Sequence, residues 1–226
     1  RSLPPDQQAL HEAHWRISSA PEFGLFVHTS FTILPPARYA EEHPEYYSEI
    51  DGKRVSPGDI PADEIFRNPE YIHLKSQLCF SNPDVADAIV HELIPRMRAN
   101  PDKKVWSVSQ MDWFSNCQCS ACRAIDEREG TPMGSLLTCI NRVAEAIETE
   151  FPDNFIETLA YQYTRKAPKH LKPRDNVVIS LCAIEADYSR PLADRASEQN
   201  RLFREDIEAW SRIAKNLFVW DYPASC

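Results

Sequence analysis

The sequence predicts an α/β protein with a parallel, barrel-like sheet. Short apolar runs, rich in β-branched or aromatic residues and too brief for helices, alternate with amphipathic helical patterns. Such alternation is typical of parallel sheets, because each helix returns the chain across the sheet to start the next strand. The composition, with 42% hydrophobic and 26% charged residues, provides enough apolar material for a sizeable core.

Each element of this fold has its own signal in the sequence. Five apolar runs are predicted to be buried strands: Phe23–His28, Val105–Ser109, Phe155–Tyr161, Val177–Ile184 and Leu217–Trp220. Three apolar stripes at helical spacing predict helices over Pro83–Ala99, Ser135–Glu150 and Asp194–Lys215. Asn82 is a suitable N-cap for the first of these helices, and Pro83 suits its first position.

The length favours part of a barrel over a complete one. A (β/α)8 barrel typically needs about 250 residues and eight strands, whereas this chain has 226 residues and a loop-rich insert at about residues 29–80. We therefore expect a single domain over residues 1–226 that forms an incomplete barrel segment of the TIM-barrel type. Because the chain starts at Arg1, it is interpreted as a piece of a larger parent chain with flanking domains.

Charge and composition argue against several classes of partner. The formal net charge of −9 has the wrong sign for a protein that neutralises many phosphates, so nucleic acid is not expected as a partner. No apolar run approaches the roughly 20 residues that span a bilayer, so membrane insertion is not expected. Only 5 Gly occur and no Gly-rich phosphate-binding loop is found.

Carboxylate and aromatic residues follow the predicted strands. The carboxyl ends of parallel strands carry the functional groups in these folds, and three of them supply an acidic residue: Asp112, Glu185 and Asp221. Paired carboxylates and aromatic faces that stack on sugar rings are typical of glycosidases. A lone carboxylate at a strand end is more often structural, so catalysis rests on the convergence of all three.

Further residues are predicted to bind a sugar substrate at the same end of the sheet. They are polar or aromatic side chains that follow the strands or lie in the insert: His28, His43, Tyr46, Trp113, Tyr161, Trp220 and Tyr222. For the pair in the insert, His43 and Tyr46, the alternative is a hairpin packed by its own tyrosines. If both instead approach the carboxyl-end face, they would help to form the mouth of the pocket.

The most localised feature is the cysteine cluster Cys117, Cys119 and Cys122. Thiolates at this spacing can converge on zinc, with Cys79, His28 or a water molecule as the fourth ligand. The alternatives are a disulfide or reduced cysteines packed beneath a loop. Seven cysteines in total cannot all pair within one chain, and the count does not settle the compartment.

Eight ordered motifs resemble the domain-of-unknown-function family DUF4838. They are the His-ending strand at Val27–His28, HPEYY at 43–47, GKR at 52–54, LCFSNPDV at 78–85, VSQMDW at 108–113, CQCSAC at 117–122, TLAYQYT at 158–164 and VWDY at 219–222. The resemblance implies a glycosidase-like (β/α)8-barrel module, distantly similar to α-glucuronidases and β-hexosaminidases. It also implies a carbohydrate partner and an exported parent protein. The family supplies no catalytic pair.

We therefore expect a glycoside hydrolase-like domain that acts on or binds complex carbohydrate. In the catalytic interpretation Glu185 is the general acid, since it follows the most apolar strand and should be desolvated. Asp112 is the base or nucleophile, kept charged by Gln110, and Asp221 orients sugar hydroxyls. This hydrolysis requires no cofactor. The alternatives are a non-catalytic carbohydrate-binding barrel and a domain whose cysteine cluster holds a structural zinc.

Overall fold

The computed structural model describes residues 22–222. Its centre is a five-stranded sheet in which every pair of neighbours is parallel. The order across the sheet follows the order of the strands in the chain: β1 (Phe23–Leu25), β4 (Val105–Ser107), β5 (Phe155–Ala160), β6 (Val177–Cys182) and β7 (Asn216–Trp220). The predicted α/β class and the five predicted parallel strands are thus confirmed.

The helices also agree with the sequence patterns, with boundaries shifted by a few residues. The structure contains α4 (Pro83–Ala99), α6 (Met133–Glu148) and α7 (Glu198–Ser211) where the three apolar stripes predicted them. Asn82 caps α4, because its side chain accepts a hydrogen bond from the amide of Asp84. A further helix that the patterns did not predict, α5 (Ser120–Glu129), begins within the cysteine cluster and ends at Gly130 in a left-handed conformation.

The insert after β1 folds into short elements. These are α1 (Ser30–Ile33), α2 (Pro36–Tyr39), an antiparallel hairpin of β2 (Glu49–Ile50) and β3 (Lys53–Arg54), α3 (Ala62–Arg67), and two 3-10 turns at Pro44–Tyr46 and Pro69–Leu74. The insert is tied to the segment after β4, because Ser30 donates from both its amide and its hydroxyl to the carbonyl of Ser109. The start of the insert therefore lies at the carboxyl-end side of the sheet.

The two faces of the sheet are packed differently. One face contributes residues such as Ile156, Val177 and Ile179 to the main core shared with α4 and α6. The other face carries a smaller buried cluster of Leu159, Tyr161 and Cys182. Successive residues of β5 and β6 thus alternate between the two faces, as side chains do along a β-strand.

The sheet does not close into a barrel within the described residues. β1 and β7 are its two edges and do not pair with each other. Their carboxyl ends nevertheless approach, because Phe26 after β1 stacks on Trp220 of β7 with ring centroids 5.3 Å apart. The sheet is therefore strongly curved, and a closed barrel is not observed. None of the described helices is both long and apolar enough to cross a membrane.

A buried carboxyl group lies in the centre of the sheet. Glu157 on β5 is only 2% exposed, and the hydroxyls of Ser107 and Ser180 hydrogen-bond to it. Within residues 22–222 its Oε2 has no hydrogen-bond partner. Burial raises the pKa of this carboxyl above its ordinary value, so the native state retains a proton that the unfolded chain releases above about pH 4.

Glu157→Gln is therefore expected to make the protein more stable than the wild type as the pH rises. Below about pH 4 both folded and unfolded wild-type chains hold the proton, and the substitution changes little. Above about pH 4 the Glu157 carboxyl ionises in the unfolded state but not in the folded state, so the free energy of unfolding of the wild type falls until the pH reaches the raised pKa. Urea unfolding between pH 4 and pH 8 measures this. The exposed Glu127→Gln is the control, and equal pH profiles for Glu157→Gln and wild type would contradict the assignment.

Candidate functional site

Four buried cysteine thiols converge where the insert meets the segment 117–122. Cys117, Cys119 and Cys122 are joined by Cys79, which precedes α4, and the four sulfurs lie within 4.8 Å of one another. The Sγ of Cys79 is 3.5 Å from that of Cys117, 3.7 Å from that of Cys119 and 4.0 Å from that of Cys122. Disulfide sulfurs lie about 2.05 Å apart, so these thiols are free, and the four cysteines could hold a metal ion.

The sulfur spacing matches a tetrahedral metal centre. Four thiolates at about 2.3 Å from a central ion have their sulfurs about 3.8 Å from one another. Of the predicted fourth ligands, Cys79 is the one that lies beside the other three sulfurs. His28 instead hydrogen-bonds through Nδ1 to the carbonyl oxygen of Gln110 at 2.8 Å. Two separate segments of the chain, at Cys79 and at residues 117–122, are therefore brought together at one point.

Hydrogen-bond donors surround the sulfurs. The amide of Glu49 lies 3.3 Å from the Sγ of Cys117, and the amide of Cys122 lies 3.5 Å from the Sγ of Cys119. The guanidinium of Arg54 approaches Cys117 with 3.7 Å between Nη1 and Sγ. Hydrogen bonds from the neighbouring thiols of Cys117 and Cys122, with Arg54 adding to them, hold the pKa of Cys79 far below its ordinary value. Negative charge in the cluster is thus carried by Cys79, whereas hydrogen bonding among the thiols together with burial raises the pKa values of Cys117 and Cys122.

A second polar group lies at the carboxyl ends of β1, β4 and β5. The hydroxyl of Tyr161 donates to Oδ1 of Asp112 at 2.9 Å, and the Nε2 of His28 lies 3.9 Å from the same oxygen. Burial raises the pKa of Tyr161, and its hydrogen bond to Asp112 raises it further, so this phenol remains a donor. The side chains of His28 and Asp112 are 26% and 37% exposed, which leaves both accessible to a ligand.

The backbone at this second site is strained. Val27, His28 and Gln162 all have positive φ angles, of 46°, 53° and 50°, in the left-handed region that side chains other than glycine disfavour. The turn at Val27 and His28 directs the imidazole back towards Gln110, and the bond to the Gln110 carbonyl places the ring proton on Nδ1. The Nε2 atom is then free to accept a proton or a hydrogen bond.

Stacked aromatic rings border the Asp112 group. Trp220 stacks with both Phe26 and Tyr222, and its ring centroid is 6.2 Å from that of Tyr222. Trp220 and Tyr222 also pack against the small cluster that contains Tyr161. The structure thus brings together four predicted binding residues, His28, Tyr161, Trp220 and Tyr222, around the predicted catalytic Asp112.

The other two predicted catalytic carboxylates have different partners. Glu185 forms an ion pair with Arg165 at 3.0 Å, and Arg165 also contacts Asp206 at 2.7 Å. The Glu185 side chain is 41% exposed, so the desolvation expected for a general acid is not found. Asp221 accepts a hydrogen bond from the amide of Tyr222 at 3.0 Å. Neither carboxylate hydrogen-bonds to His28, Asp112 or Tyr161 in the described part of the chain.

Three predicted sugar contacts lie elsewhere. Trp113 is only 5% exposed and donates from Nε1 to the carbonyl of Ser76 at 2.7 Å, so its ring packs in the core rather than against a ligand. His43 stacks on the buried Tyr46 with centroids 4.5 Å apart, and Tyr46 packs near Tyr39. This stacking matches the alternative of a segment packed by its own tyrosines, and a role of His43 and Tyr46 at the pocket mouth stays a prediction.

Gln110 does not assist Asp112 as expected. Its side-chain amide donates to the hydroxyl of Thr164 at 2.8 Å, and the donor beside Asp112 is Tyr161. Residues that the sequence analysis missed are Gln77 and Ser81, which contact the Asp112 loop and the sulfurs respectively. Nothing local in the sequence marks these contacts, because the Asp112 loop and Cys122 lie more than 30 residues further along the chain.

Comparison with known proteins identifies the family but not an activity. The family model described as Domain of unknown function (DUF4838) matches residues 6–225. The chain belongs to this family. No curated protein and no solved structure matches it. The two clusters therefore represent the chemistry that this DUF4838 chain itself presents.

Proposed function

We propose that this chain is a glycoside hydrolase-like domain that binds complex carbohydrate at the His28–Asp112–Tyr161 group. The observation that carries the proposal is the position of this group beside the stacked rings of Trp220 and Tyr222. A carboxylate and an imidazole recognise sugar hydroxyls, while aromatic faces pack against the apolar faces of sugar rings. The family resemblance to glycosidase-like modules is consistent with this assignment.

The fold supports the same proposal. Five parallel strands in sequential order, with Phe26 meeting Trp220 across the carboxyl end, suit part of a (β/α) barrel. On the edge strand β7, Phe218 and Val219 are 43% and 49% exposed. We propose that further strands from flanking segments of a parent chain cover this edge, because an exposed apolar edge strand readily pairs with another.

Two versions of the function differ in whether a bond is broken. In the catalytic version Asp112 is the base or nucleophile, with Tyr161 stabilising its charge and Nε2 of His28 available for proton transfer. A non-catalytic carbohydrate-binding domain is the second candidate. It is favoured by the separate partners of Asp112, Glu185 and Asp221, which leave no directly paired carboxylates.

We also propose that the four-cysteine cluster binds zinc as a structural ion. Four thiolates at tetrahedral spacing are a preferred ligand set for Zn²⁺. The resulting complex is negatively charged, and Arg54 together with the amides of Glu49 and Cys122 would offset that charge. No step of the proposed sugar chemistry runs through this ion. It would fix the loop that carries Asp112.

Binding to a panel of neutral and uronic-acid-containing oligosaccharides tests the carbohydrate proposal. The wild-type chain is expected to bind at least one class, and Trp220→Ala is expected to weaken that binding about tenfold, or about 1.4 kcal/mol. Phe66→Ala is the matched control, because Phe66 is an exposed aromatic residue on α3 (54% exposed) outside this site. Absence of binding to the whole panel, or equal binding by Trp220→Ala, would contradict the proposal.

A further inference from the structure

A buried side chain from the insert, that of Gln77, holds the backbone of the loop that carries Asp112. Gln77 is fully buried, and its amide group spans the backbone on both sides of Asp112. Its Oε1 accepts a hydrogen bond from the amide of Met111 at 2.8 Å, while its Nε2 donates to the carbonyls of Met111 and Trp113 at 3.1 and 2.7 Å. Both polar ends of one side chain therefore act on residues 111–113.

The backbone of Gln77 is itself held in place by hydrogen bonds to the insert. The hydroxyl of Ser48 accepts a hydrogen bond from the backbone amide of Gln77 at 3.0 Å, and the backbone amide of Ser48 donates to the backbone carbonyl of Gln77 at 2.9 Å. The adjacent Leu78 pairs with Tyr47 in a β-bridge. Two residues after Gln77, the chain enters the four-cysteine cluster at Cys79. The contact of the Gln77 side chain with the backbone of residues 111–113, here called the Gln77 clamp, is thus fixed by the insert on one side and by the four-cysteine cluster on the other.

We infer that Gln77 is a positioning residue that fixes the Asp112 carboxylate against Tyr161 and His28. It does not touch the proposed sugar site. It acts by setting the backbone of the loop, because the left-handed turn at His28 and the phenol of Tyr161 come from other strands and cannot follow a displaced Asp112. The role of Gln77 in sugar binding rests on the proposed function, whereas its effect on the position of Asp112 can be tested without a sugar.

The test uses the ζ-carbon NMR resonance of Tyr161, which reports whether its hydroxyl donates to a carboxylate. The resonance is assigned by its loss in Tyr161→Phe, and Asp112→Asn gives the shift expected when the charged acceptor is removed. Gln77→Met, which keeps length and removes both polar ends, is expected to move the resonance in the same direction and nearly as far. Gln118→Met is the matched control and is expected to leave it in place.

A Tyr161 resonance unmoved by Gln77→Met but moved by Asp112→Asn would overturn the inference. If Gln77→Met does not fold, amide hydrogen exchange of the wild-type chain decides. The Met111 amide is expected to exchange about a hundredfold slower than an unstructured peptide, and exchange at the unprotected rate would show that the clamp is absent. A moved resonance without oligosaccharide binding would support the clamp and count against the proposed function alone.

Discussion

Replacing Cys122 with serine is expected to abolish metal binding and to cost the protein several kcal/mol of stability. The four sulfurs come from two segments about 40 residues apart in the chain, Cys79 and the stretch 117–122, so an ion that binds all four stabilises the folded state. At a free metal concentration 1,000 times the Kd, that linkage contributes about 4 kcal/mol. A serine hydroxyl is a poor ligand for zinc at neutral pH, and the remaining thiolates leave the tetrahedron incomplete.

Metal content per chain and urea unfolding with and without a chelator measure this effect. The purified wild-type chain, refolded with zinc salt under reducing conditions, is expected to hold one ion and to lose stability when the ion is removed. Cys139→Ser is the matched control, since Cys139 is equally buried on α6 but lies outside the cluster. A wild-type chain without metal, or Cys122→Ser with a full complement, would contradict the zinc proposal.

The sheet and its helices were predictable because their signals are local. Apolar runs and helical stripes predicted β4, β5, β6 and α4 nearly to the residue, and the cap at Asn82 is a short-range hydrogen bond. The curvature of the sheet is not local. It depends on contacts such as Phe26 on Trp220, which join residues nearly the whole domain apart.

The candidate site was only half predictable for the same reason. Strand ends identified Asp112, Tyr161 and His28, since parallel strands present their carboxyl ends on one side. The sequence could not show that Arg165 would pair with Glu185, or that Trp113 would turn inward to Ser76. Nor does a glycine or asparagine mark the left-handed turn at Val27 and His28, so the orientation of the imidazole had no signal in the sequence.

The Asp112→Asn variant is expected to lower turnover of a cleaved glycan at least a hundredfold, about 2.7 kcal/mol of barrier. The asparagine keeps the size of the side chain but removes its negative charge. That charge faces His28, accepts the hydrogen bond of Tyr161 and would stabilise an oxocarbenium-like transition state. Glu185→Gln serves as the matched comparison, because the carboxylate of Glu185 forms an ion pair with Arg165.

If both variants bind the glycan and retain full turnover, Asp112 has no catalytic role. If the wild type binds glycan but cleaves none, the non-catalytic candidate is correct, and Asp112→Asn should then weaken binding instead, since the carboxylate would act only as an acceptor for sugar hydroxyls.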